Sequence, residues 1–152
     1  MKEKILIIFL LLFVFKIQSQ NTDPLKTKDF EAQQIWVDSI INNMTIDQKI
    51  GQLFMVQAYS NRDKKHEKFI TEMIEKYHVG NLIFMQGTPE KQAKLNNTYQ
   101  ALSKVPLLIG LDGEWGLDMR LKNTYRFPWN MTLGAIKNDS LIKQFGKHLG
   151  KH

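Results

Sequence analysis

Apolar residues recur along this chain first at helical spacing, then in short unbroken runs, and the two patterns keep changing places. Phe30, Ile35, Trp36, Ile40 and Ile41 fall near a 3.6-residue period and predict a helix over 29–43. A tryptophan in such a stripe reads as core before it reads as a platform for a sugar ring. Thr45 followed three residues later by Gln48 predicts a capping box and a second, short helix. From Gly51 to Ala58 the pattern becomes strand-like, with Leu53, Phe54, Met55 and Val56 in one run. The charged stretch 61–68 is a solvated connection into a helix whose apolar face is Phe69, Ile70, Met73, Ile74 and Tyr77. Gly80 is expected to end it in the left-handed conformation.

A second strand over 81–85 follows. Thr88 then caps a helix with Pro89 in its first turn, where the missing N–H is not needed, and that helix continues to about Leu102. Pro106 opens a third strand through Leu111, and Leu141, Ile142, Phe145 and Leu149 give a last helix from Asp139. Strand and helix thus alternate three times, the order of an α/β fold in which a parallel sheet is joined by crossover helices.

The third strand ends in Val-Pro-Leu-Leu-Ile-Gly-Leu-Asp-Gly-Glu-Trp-Gly-Leu-Asp-Met-Arg-Leu. Asp112 is the first polar side chain past its carboxyl end, where parallel α/β folds gather ligand-binding groups. The plain alternative is a solvated acid at an ordinary strand exit. Gly110, Asp112, Glu114, Gly116, Arg120 and Leu121 resemble the substrate-facing motif of glycoside hydrolase family 3. Three further stretches resemble family segments in the same order: Met44 to Leu53, Val79 to Phe84, and Phe127-Pro128 with Met131 to Ala135. Trp115 and Leu117 stand where the β-N-acetylhexosaminidase branch often has Gly and Arg, which marks a variant branch.

The resemblance implies a (β/α)8 barrel domain, of which residues 35–152 would supply the first three or so units, since a whole barrel takes about 250 residues. It also implies that Asp112 accepts hydrogen bonds from hydroxyls of the non-reducing sugar. A carboxylate suits this because its two oxygens can serve neighbouring hydroxyls together. Glu114 and Arg120 are expected to pair and shape the loop, Trp115 either packs on a sugar face or closes the loop, and Asp118 is expected to be solvated. The family's nucleophile, an Asp on a later strand, and its His/Asp proton-transfer loop have no counterpart here, so no catalytic residue is assigned. The implied activity is release of terminal β-linked N-acetylhexosamine by a longer enzyme. A β-glucosidase of the same family and a non-catalytic sugar-binding module are the alternatives.

Composition narrows the setting. Residues 1–19 have the form of a secretory signal peptide, with two early lysines, an apolar run from Ile5 to Phe15 and a polar end at Ser19, and 20–34 form a leader and the start of the first helix. A periplasmic or secreted enzyme is expected. The chain has no cysteine, which excludes disulfides and thiolate ligands, and 43% hydrophobic residues suffice for a packed core. The formal charge of +6 falls to +4 without the signal peptide's three lysines and one glutamate, and the basic residues are scattered, so nucleic acid is a poor partner. His66 and His78 have no ligand-like spacing to one another, and neither a metal nor an organic cofactor is implied.

Overall fold

The computed structural model describes residues 26–151. The expected signal peptide and most of the leader lie outside the described residues. The chain divides into two units, Met1–Ser39 and Ile40–His152. Helix α1, Phe30–Ile41, has no buried residue, and Trp36 is 56% exposed, so the expected core role of that tryptophan is corrected.

In the second unit the expected order is present. Helix α2 (Ile46–Gly51) leads to β1 (Met55–Ala58), α3 (Lys64–Glu75), β2 (Asn81–Phe84), α4 (Pro89–Leu102) and β3 (Leu108–Leu111). The strands form one parallel sheet in the order β1-β2-β3, in the register Ala58, Phe84, Leu111 across its carboxyl end. Past the sheet come a 3-10 turn (Leu117–Met119) and helices α5 (Asn130–Gly134) and α6 (Asp139–Leu149).

Local chemistry explains most boundaries. The Thr45 hydroxyl accepts the Gln48 N–H at 3.2 Å and the Gln48 side chain accepts the Thr45 N–H at 2.9 Å, which completes the predicted capping box. That helix runs through Gly51, and the following turn leaves Leu53 and Phe54 exposed. The strand expected from residue 51 therefore begins only at Met55. Asp63 and Thr88 cap α3 and α4 through their side-chain oxygens.

The left-handed residue after α3 is His78, with φ of 55°, rather than Gly80. Gly80 is small for another reason: a Cβ there would lie 2.6 Å from the Gln52 side-chain oxygen.

Alternation along the strands gives the sheet two unlike faces. Ala58, Leu82 and Phe84 are buried with Ile70 and Ile74 of α3 and Tyr99 of α4, and Val56 and Ile109 pack against that cluster. Residues of opposite parity are far more open, with Met55 48% and Leu108 64% exposed. Burial pushes the Tyr99 hydroxyl up to about 12, with a smaller push from Glu67.

Candidate functional site

The carboxyl ends of the three strands collect Tyr59 and Ser60, Gln86 and Gly87, and Asp112. Pairing continues past β1 and β2, since Met85 N–H donates to the Ala58 carbonyl and Ser60 N–H to that of Gln86, both at 2.9 Å. Ser60 is buried against Gly87, and a Cβ on Gly87 would fall on its hydroxyl oxygen.

The segment after Asp112 returns to this edge. Gly87 N–H donates to the Arg120 carbonyl at 3.1 Å and Lys122 N–H donates back to Gly87 at 2.9 Å, forming a parallel bridge that buries Leu121. Arg120 is thereby fixed beside the end of β3. Its Nη2 donates to Asp112 Oδ2 at 2.7 Å and its Nε to the Asp112 carbonyl at 3.0 Å. A planar guanidinium suits this fork because two donors hold both the position and the orientation of the acid. Arg120 is nearly enclosed, its side chain 14% exposed, whereas that of Asp112 is 44% exposed. Asp112 is therefore held from one side and open on the other.

The expected pairing of Arg120 with Glu114 is thus corrected: the acid that meets the guanidinium is Asp112, because the loop closes back on the strand end. Glu114 is exposed, and its backbone N–H points to the Met119 sulfur at 3.4 Å. Asp118 is also corrected, from solvated to partly covered, with Arg126 Nε 3.9 Å away.

Trp115 is half-buried and sits between two fixed points. Its carbonyl accepts the Phe127 N–H at 3.3 Å, and Gly116 beside it has φ of 91°, a conformation that favours glycine. The Phe127 ring lies where a Gly116 Cβ would be, and packs edge-on against Phe145 of α6 with centroids 5.1 Å apart. Trp129 stands next to Trp115, with ring centroids 5.9 Å apart and planes tilted by 40°. The sequence reading missed Trp129. Its signal, aromatics at 125, 127 and 129, alternates as a strand would, yet Pro128 interrupts the stretch and no strand forms there.

At the β1 end, His66 of α3 accepts the Tyr59 N–H through Nε2 at 3.0 Å, which gives this partly buried histidine a fixed partner. Its partial burial, and then the Arg62 charge, lower its pKa against the opposing pull of Asp63 and Glu67. The Arg62 guanidinium rests 3.5 Å from the centroid of the Tyr59 ring.

No group of three or more His, Cys, Asp or Glu side chains that could hold a metal occurs among the described residues. No helix among them is long and apolar enough to cross a membrane. An apolar groove of about 590 Å³ between Ile50, Phe54, Met73 and Tyr77 opens elsewhere, near the amino ends of the strands, and none of the Asp112 loop lines it.

Beta-N-acetylglucosaminidase/beta-glucosidase of Cellulomonas fimi is 27% identical over 116 residues, 76% of this chain, and the chain spans about 20% of that relative's length. Residues 45–152 match the family model described as glycosyl hydrolase family 3 N terminal domain, and the chain belongs to that family.

Proposed function

We propose that this chain forms the terminal-sugar-binding part of an exported glycoside hydrolase that releases β-linked N-acetylhexosamine from glycans or peptidoglycan fragments. The observation that carries the reading is Asp112, anchored by Arg120 at 2.7 Å yet nearly half exposed at the carboxyl end of a parallel sheet. One carboxylate oxygen is held, and the other, with no hydrogen bond among the described residues, is left for hydroxyls of a ligand. Preorganisation of this kind spares the ordering cost that a free acid would meet on binding. The sheet is read as the first three strands of a (β/α)8 barrel, in which loops at the carboxyl ends share one site.

Within this reading, Asp112 accepts from sugar hydroxyls, Arg120 positions Asp112, Trp115 borders the sugar and Glu114 lies at the solvent rim. None of these four is assigned to bond cleavage. A β-glucosidase is the second reading, favoured by the double name of the Cellulomonas fimi relative.

Assay of the natural gene product on p-nitrophenyl β-N-acetylglucosaminide and β-glucoside separates the two. The proposed activity requires faster turnover of the N-acetylated substrate, and Asp112→Asn is expected to lower kcat/KM about tenfold or more, the scale of one charged hydrogen bond. An Asp112→Asn protein as active as the parent would remove Asp112 from the site, and preference for the glucoside would favour the second reading.

A further inference from the structure

We propose that Trp115 and Trp129 together form a step that receives the second sugar of an oligosaccharide, so that the site favours short glycan chains over single sugars. This rests on the reading of Asp112 as the terminal-sugar contact. Sugar rings have apolar C–H faces and polar edges, and an aromatic ring beside hydrogen-bonding groups matches both. The two indoles supply the apolar part, and the Arg126 guanidinium lies over the Trp129 ring, 5.7 Å from its centroid, as a neighbouring donor group.

Position and rigidity both favour a glycan as the occupant. Trp115 is three residues beyond Asp112, in a loop whose far end is tied to Gly87 and whose middle is fixed by Gly116 against Phe127. Trp129 is joined to it through the Phe127 N–H bond to the Trp115 carbonyl. The pair therefore continues the Asp112 site without a break in the backbone support. Trp129 is nevertheless 57% exposed, and α5, which it precedes, has no buried residue, so this indole is not spent on packing α5 into a core. The tilt between the rings makes an angled step rather than a flat, closed stack.

Titration of the whole chain with N-acetylglucosamine and with its β-1,4-linked trimer tests the proposal. The trimer should bind about tenfold tighter, as one added aromatic contact would give, and should change tryptophan fluorescence. Trp129→Ala should abolish the chain-length advantage, while Trp36→Phe, outside the site, should keep both the advantage and the fluorescence response. Equal affinity for monomer and trimer, or trimer binding without a fluorescence change in the unaltered chain, would overturn the step but leave the Asp112 reading standing. Failure to bind either sugar would overturn both. The fluorescence arm needs no variant, so it stands even if Trp129→Ala does not fold.

Discussion

Residues 55–111 and residues 112–149 solve the problem of holding a shape in different ways. The first stretch buries Ala58, Ile70, Ile74, Leu82, Phe84 and Tyr99 in one cluster between the sheet and its two crossover helices. The second buries only Gly116 and Leu121, and relies on particular bonds: Arg120 to Asp112, Lys122 and Arg120 to Gly87, Phe127 to Trp115. Apolar burial is non-directional and spread over many contacts, so it makes a scaffold. A few directed bonds place individual side chains without covering them, which is what a binding loop requires. Substitutions should separate the two regions, with global unfolding from the first and local loss of binding from the second.

The largest effect is expected from Phe84→Ala. Phe84 is 1% exposed and lies against Tyr99, with ring centroids 6.5 Å apart. Truncation leaves a cavity between β2 and α4, and about 3–5 kcal/mol of stability should be lost. Urea denaturation followed by circular dichroism would measure it. A loss below about 1 kcal/mol would mean that the sheet does not depend on this cluster in the way described.

Gly116→Ala probes the second region and should do less to the fold than to the loop. A Cβ there would lie 2.6 Å from the Phe127 ring, on a residue with φ of 91°. Strain of about 1–3 kcal/mol is expected, and its easiest relief is movement of Phe127 away from Trp115. Unfolding midpoints should fall modestly while sugar affinity falls sharply. Equal proportional loss of both would erase the distinction between scaffold and loop.

How much of this was readable beforehand follows the same division. The apolar runs at 81–84 and 108–111, the 70/74 spacing of α3 and the Thr45 and Thr88 caps are local signals, and each produced the element it predicts. The expected strand over 51–58 shrank to four residues because apolar Leu53 and Phe54 look like strand while the preceding capped helix still governs their backbone. Asp112 was identified from its place after a strand and from a family-like motif. Its partner was not, because whether Arg120 meets Asp112 or Glu114 depends on the Gly87 bridge, a contact 33 residues away in sequence from Arg120. Trp129 escaped for a related reason, since its neighbour Trp115 is brought to it by a turn at Gly116 that no periodicity announces.

The smallest expected effect lies where the two regions' logics overlap, at His66, a helix residue that holds a strand-end amide. Nε2 can accept the Tyr59 N–H only while it carries no proton, and both burial and the Arg62 charge favour that neutral form. The folded pKa is therefore below the ordinary 6.5, so near pH 6 the unfolded chain binds more protons than the folded one. Stability should be fully present above 6.5 and decline as pH falls through the lowered folded value. His66→Gln keeps an acceptor but cannot titrate, so its urea midpoint should vary less between pH 7 and pH 5 than that of the parent. His78, His148 and His152 are unchanged in both proteins, so the difference between the two pH profiles isolates His66. Parallel profiles would show that the Tyr59 amide does not depend on the imidazole, and that β1's carboxyl end is set by the sheet alone.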